Sequence, residues 1–500
     1  MKHIHSYLTI MALLTVVLAP LSHAASMSVN EIPLTTIDQY LGTLDGVGQT
    51  LLISPDCQHI ALAVKLDQEM GWQIDGNTPK YFPDLGPGQW SPDSKHFSYS
   101  VPDGKKWRMV IDGKTESAYD AVGFPVWSPD SSKMSYVAQQ NRKFFVINGN
   151  QKSQPFEAVR DLQYNGDGSS LAAIVQKDNK DYLWIDGQLK SSADQIEQLV
   201  WSAHGAHFAL AARDGGAWRI FHDNLPPTKA VETVQLLTIS PDGQHIAYVG
   251  TVSGEFVVQQ DGNKPPASSK TQLLIADEKT LESHNEAGYT YTGIKYSPDS
   301  QHLAWTAGYF GQVVAPLPII PPPPNFPTGG ATGMHVFNDG KIGPGYTNVS
   351  APVWSSDSAH LAYGAVQVSG NSVAKYIITD GEPSSPYSDV TQPAWNPTSP
   401  ELAYAMVPDS SRGQSLVINN GKESPKYDTV SDLRFSADGK YFSYLALGEK
   451  GTFTVINGVQ GPIYDGFLGD TKSYFDAADH LHVIALKKLK VIQVEFAVKE

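Results

Sequence analysis

Cysteine occurs once in this 500-residue chain, at Cys57, which excludes an intramolecular disulfide and any paired-thiolate metal or redox centre. Long hydrophobic runs are missing as well. The longest, Leu8 to Ala19, has twelve residues, whereas a membrane-crossing helix needs about 20. Positive charge is scarce: 36 Lys and Arg face 51 Asp and Glu, giving a net charge of −15. Such a surface repels phosphate backbones and anionic lipid, so nucleic acid is not an expected partner. Linear catalytic signatures are absent, with no G-x-S-x-G elbow, H-E-x-x-H, C-x-x-C or G-x-x-x-x-G-K-S/T. The plentiful Asp residues sit in runs such as SPDS and NGDGSS, too short to supply the roughly six oxygens of a calcium site. No cofactor and no metal are expected.

What is there begins with a leader. Lys2 in a polar start, the apolar run, and the small residues Ser22 and Ala24 read as a secretory signal peptide over residues 1–24, cut near Ala24. Without Lys2 there remain 35 cations against 51 carboxylates, a charge of −16. The mature chain is expected in the periplasm or outside the cell, with no membrane span and no lipid-attachment cysteine at its new start.

Then one unit returns again and again. WSPDSKHFSYSV from Trp90 comes back as WSPDSSKMSYVA from Trp127, YSPDSQHLAWTA from Tyr296 and WSSDSAHLAYGA from Trp354. Anchored on the Ser of Ser-Pro-Asp or its equivalent, the copies begin at Ser54, Ser91, Ser128, Asn165, Ser202, Ser240, Ser297, Ser355, Asn396 and Ser436, with a degenerate last copy at Phe475. Spacings are 37, 37, 37, 37, 38, 57, 58, 41, 40 and 39. A second mark follows each of the first ten anchors, mostly Asp-Gly or Asn-Gly, from Asp75-Gly76 through Asp261-Gly262 in the sixth to Asn457-Gly458. Pro presets φ for the first turn, and Asp bonds the backbone beyond it. Asp-Gly between apolar runs is a hairpin turn, since Gly and Asp tolerate positive φ. Between the marks the pattern alternates as strands do, and nothing reads as a helix.

An all-β unit of about four short strands cannot bury both faces alone, so the units stack, and radial stacking makes a β-propeller. Seven residues past the anchor stands a small residue (Ala61, Ser98, Ser135, Ala172), commonly followed by a large one (Tyr99, Tyr136, Tyr248, Trp305). These aromatics, with Trp90, Trp127, Trp201, Trp354 and Trp395 before the anchors, are expected in the core. Chains beyond about 250 to 300 residues tend to split, so two tandem rings are expected, residues 25–285 with six units and 286–500 with five. One large ring closed by the N-terminal strand is the alternative.

Two features stand out from the repeat. Histidine occupies the slot five residues past the anchor at His59, His96, His207, His245, His302, His360 and His480, seven of the twelve in the mature chain. Neighbouring sheets lie about 10 Å apart, too far for these rings to share one metal, and the slot is expected to open the second strand, half exposed. A pH-responsive rim is the functional reading of the same residues. The second feature is a pair of long insertions. In the sixth copy about twenty extra residues follow Asp261-Gly262. In the seventh, seven prolines lie between Pro316 and Pro327. That segment favours stiff polyproline II with exposed carbonyls, and Pro318, Pro321, Pro322, Pro323, Pro324 and Phe326 are candidate partner contacts.

The unit W-S-P-D-G/S-x-x-x-A-Y, an apolar run and Asp-Gly resembles the propeller repeat of the periplasmic TolB family and its WD-like relatives, over residues of about 40 to 500. The resemblance implies a periplasmic propeller that works through protein contacts and has no catalytic residues of its own. TolB itself carries an α/β domain ahead of its propeller, where only some 15 residues, 25 to 40, precede the first repeat here; the Tol-Pal role is therefore not carried over. The expected function is a non-catalytic binding or scaffold propeller of the bacterial cell envelope, touching an envelope protein or peptide through loop insertions and the channel mouth. The alternative is a periplasmic or secreted hydrolase or lyase with a loop-built site on the axis.

Overall fold

A computed structural model describes residues 26–36, 51–205, 207–253, 270–285, 289–309, 333–408, 413–468 and 473–499. Residues 1–24, where a leader is expected, Asp261 and the proline-rich segment lie outside them. The strands form eleven antiparallel sheets in chain order, one per repeat, with no helix among the described residues. In the second blade, Gln89–Trp90 pairs Phe97–Asp103, which pairs Lys106–Ile111, which pairs Lys114–Tyr119. The first and fifth blades have three such strands rather than four. The hairpin marks fold as their chemistry demands: Asp75, Asp112, Asp339 and Asp380 all sit near φ +50, each followed by a glycine at positive φ.

The sheets interlock through the small-residue slot. Ala61, Ser98, Ser135, Ala172, Ala209, Ala247 and Ala304 are fully buried, and so are Tyr248 and Trp305 beside them. The tryptophans before the anchors are less sunken than expected. Trp354 is buried, whereas Trp90, Trp127, Trp201 and Trp395 are half-buried, because they close the interfaces at the rim of each sheet.

Packing between sheets decides the ring count. Ala247, Val249 and Leu274 of the sixth blade pack against Tyr289, Leu303 and Trp305 of the seventh, across the place expected to be a seam. Ile484 and Val491 of the eleventh pack against Ile60, Leu51 and Ile53 of the first. Two rings would require the sixth blade to close on the first and the eleventh on the seventh. The protein is therefore an eleven-bladed β-propeller arranged as one ring, and the boundary at 285/286 falls between two blades that touch. Ser26–Thr36 pairs antiparallel with Lys490–Lys499, so the N-terminal strand completes the last blade. First strands of successive blades approach one another closely, as Thr233–Ile239 does Tyr289–Tyr296, which places them around the axis.

Two further expectations need correction. The sixth hairpin turns at Asp277-Glu278, both at positive φ, between Lys270–Ala276 and Lys279–Asn285. The sixth insertion thus separates the second and third strands, as the seventh does, and LLIA is an ordinary third strand. In the eleventh blade the turn begins at Asp476, whose amide donates to His480 O at 3.0 Å, rather than at Phe475. That turn is one residue shorter than the others, which is why counting from sequence misplaced it.

Candidate functional site

Antiparallel order puts the Ser-Pro-Asp turns and the Asp-Gly turns on one face of the ring, and the hairpins between second and third strands on the other. The first face repeats one construction in most of its blades. In the second blade, Ser91 N donates to His96 O at 2.9 Å, Ser91 Oγ donates to Asp93 Oδ1 at 2.6 Å, and His96 N donates to Ser91 Oγ at 3.0 Å. Ser94, the last residue of the turn, takes φ +65. Its Oγ accepts from Asp56 N of the preceding blade at 3.0 Å. The same link joins Asp93 to Ser131 at 2.9 Å, Asp242 to Ser300 at 3.0 Å and Asp299 to Ser358 at 3.0 Å. At Asp130 the hydrogen bonds of the Ser128 and then the Ser132 hydroxyl bring the carboxyl pKa down to about 2.

Six of the seven slot histidines share a partner that the sequence reading did not assign. His59 Nδ1 lies 2.8 Å from Asp75 Oδ2, His96 2.8 Å from Asp112, His207 2.6 Å from Asp223, and His245, His302 and His360 each 2.7 Å from Asp277, Asp339 and Asp380. The other oxygen of each Asp accepts the next backbone amide, as Asp112 Oδ1 does from Phe97 N at 3.0 Å. Two of the blades without a slot histidine keep this cap: Asp186 Oδ1 accepts Leu171 N at 2.9 Å and Asn457 Oδ1 accepts Phe442 N at 2.8 Å. Capping the second strand is thus a task the second mark performs with or without histidine, and the imidazole is added to it. The ring then lies on the aromatic that opens the next blade, His59 on Trp90 at 5.8 Å, His96 on Trp127 at 5.4 Å, His302 on Trp354 at 5.8 Å and His360 on Trp395 at 5.9 Å. With His245 on Tyr296 at 6.3 Å, five of the six units are clamps of Asp, His and aromatic spanning two blades; at His207 the next blade opens with Ile239 instead, and all six imidazoles are 33 to 43% exposed. The clue was legible: in three short repeats His and Asp are 16 residues apart.

Charge follows from the geometry. The Asp75 hydrogen bond, opposed by burial and helped by the charges of Asp75 and Asp56, raises the His59 pKa. His480 departs from the pattern. Its hairpin is replaced by the N-terminal strand, and its Nδ1 stands 3.7 Å from both Asp476 and Glu495. His482 fills the small-residue slot there, buried, with Nε2 3.2 Å from Asp476 Oδ2. No group of three or more His, Cys, Asp or Glu able to hold a metal occurs among the described residues.

Among the described residues, hollows open along the first strands and at the clamp face. One, of about 310 Å³, lies between the first strands of the fourth and fifth blades, lined by Asp161, Gln163, Glu197 and Gln198. Both strands bulge there, with Asp161 at φ +53. The other, of about 380 Å³, crosses the sixth to ninth blades at the clamp face, bordered by Tyr296, Trp354, Trp395 and three prolines. Those aromatics are held by the clamps, since His245, His302 and His360 pack behind them. Trp354 and Trp395 were expected in the core; with Tyr296 they form interface and surface at once.

No family model matches the chain, and no curated protein matches it. Among solved structures it is similar to TolB from Acinetobacter baumannii, at 17% identity and a TM-score of 0.23, over 46% of this chain and 60% of that one. The Dos1 propeller aligns at 9% identity and 0.31, over 67% and 92%. The dihydro-heme d1 dehydrogenase NirN aligns at 12% and 0.28, over 71% and 77%. These scores are low, and none of the likenesses bears on what this chain does.

Proposed function

We propose that the protein is a non-catalytic binding or scaffold propeller of the bacterial cell envelope, periplasmic or secreted after removal of its leader. Its partner is an envelope protein or peptide, gripped by the insertions of the sixth and seventh blades, including Pro318, Pro321, Pro322, Pro323, Pro324 and Phe326, and by the channel mouth. The observation that carries this reading is positional. Both insertions leave the same face at adjacent blades, one between Ser253 and Lys270 and the other between Tyr309 and Met334. Long departures from a short repeat cost little stability and supply contact surface. The recurrent Ser, Asp and His are meanwhile engaged in turns and clamps rather than gathered in a pocket. The slot histidines His59, His96, His207, His245, His302, His360 and His480 add a second layer, a pH-responsive rim that retunes the contacts of its face.

An affinity pull-down from envelope extract tests the reading, using the full chain and a chain with residues 311–330 replaced by a short Gly-Ser turn. The expected result is at least one partner recovered by the first and lost by the second. Recovery of the same set by both removes the proline-rich insertion from the proposal.

A further inference from the structure

The hollow at the clamp face has the chemistry of a receptor for extended, proline-rich chain. Its lining is Pro241, Tyr296, Pro298, Val353, Trp354, Pro393, Ala394 and Trp395, with Lys295 as the one charged residue. Its walls are set before anything binds. Trp354 Nε1 donates to Lys295 O at 3.3 Å, Trp395 Nε1 donates to Val353 O at 3.0 Å, and each indole rests on an imidazole of the preceding blade. Aromatic walls that need no ordering forfeit little side-chain entropy on contact, and shallow aromatic grooves are how polyproline II segments are commonly held.

The chain carries such a segment itself. Residues 316–327, PLPIIPPPPNFP, hold seven prolines, and no Asp, Glu, Lys or Arg occurs between residues 310 and 332. Two bodies of charge −15 repel wherever their carboxylates meet. An uncharged segment entering a nearly uncharged hollow is the approach that costs least. Position then selects the donor. The hollow lies at the start of the strand Leu303–Tyr309, beside Tyr296 and Pro298, while the insertion leaves from that strand's far end. Seven residues of strand separate the two by about 23 Å, on opposite faces of the ring. The root of the insertion at Tyr309 and the hollow thus lie on opposite faces, so stacking two copies face to tail brings one copy's insertion root to the other's hollow.

We propose that the hollow bordered by Tyr296, Trp354 and Trp395 receives the proline-rich segment of a second copy of this chain, clamp face against insertion face. The contact is heterologous, so copies add head to tail and do not close as a two-fold dimer. This goes beyond the envelope-partner reading and does not depend on it.

Sedimentation velocity of the purified protein from about 1 to 100 μM tests it. The wild type is expected to shift to dimers and longer species as concentration rises. Trp395→Ala, and a chain with residues 312–330 replaced by a Gly-Ser linker, are expected to associate at least tenfold more weakly. Pro298→Glu, on an exposed turn residue, guards against misfolding of the tryptophan variant and is expected to act alike. Mixing Pro298→Glu with the linker variant restores one intact contact, so heterodimers should form and longer species should not. A wild type that stays monomeric to 100 μM overturns the proposal, as does a linker variant that still associates, or a mixture that does not pair. If a synthetic peptide of residues 316–327 quenches the hollow's tryptophans while the wild type remains monomeric, the hollow serves another protein's segment and the second-copy assignment fails. Loss of self-association would leave the envelope pull-down free to succeed.

Discussion

The two faces of this ring obey different rules. On the clamp face the same turn, cap and imidazole recur in blade after blade, and neighbouring copies hydrogen-bond to each other through them, as Asp93 does to Ser131. On the opposite face the hairpin between second and third strands is free to vary. It is two residues long at Asn141-Arg142 and at Gly370-Asn371, and is replaced by long insertions in the sixth and seventh blades. The difference teaches where a repeat protein spends its sequence. A turn that touches the next blade is fixed by two blades at once, whereas a hairpin tip answers only to its own strands.

That contrast can be broken by substitution, beginning with the largest effect. Gly243 sits at φ +76, where an added Cβ would lie 2.5 Å from the His207 side chain. Gly243→Ala is expected to cost about 3 kcal/mol from backbone strain and overlap together, read from denaturant unfolding. Next comes the cap. Asp112→Ala leaves both Phe97 N and His96 without their partner and is expected to cost about 1–2 kcal/mol, while Asp186→Ala, which loses only the Leu171 amide, costs about 1 kcal/mol or less. Equal costs at the two sites would show that the imidazole contributes nothing to the clamp. A smaller effect is expected from pH. Because the folded pKa of His59 is raised, its stabilisation is complete below the unfolded value near 6.5 and fades as pH climbs through the folded value. Its imidazole is 43% exposed, so the effect is screened to a few tenths of a kcal/mol. His59→Gln should flatten the stability profile between about pH 6 and 8, and a mutant profile as steep as the wild type's would dismiss the clamp as the source. On the opposite face, Val373→Ser at an exposed hairpin position should change stability by less than about 0.5 kcal/mol.

Most of the fold was legible, because turn chemistry acts over a few residues. Pro at Pro92 and the Asp112-Gly113 pair dictated where strands end, and the buried Ser98 and Tyr99 confirmed the alternation between them. Where a mark was counterfeit, the reading slipped. Asp261-Gly262 has the composition of a hairpin turn, yet the sixth hairpin is made by Asp277-Glu278, since register with Ile246–Ser253 and not composition chooses the turn. The histidine slot was found but not its partner, because Asp75 reads as a turn former and its second oxygen has no signature in composition. The hollow left no linear trace at all, as Tyr296, Trp354 and Trp395 come from three blades.

By itself the sequence determined that eleven like sheets exist, where most of them turn, and which face of each strand is apolar, since all three follow from contacts within one repeat. Only the tertiary structure decided that the sheets close as one ring, with Ile484 and Val491 meeting Ile60. Closure is a sum of small rotations over every interface, each set by side-chain volumes at the contact, and no single repeat encodes the total. The same holds for the second oxygen of each clamp aspartate and for the hollow, which exist only once neighbouring blades are in place.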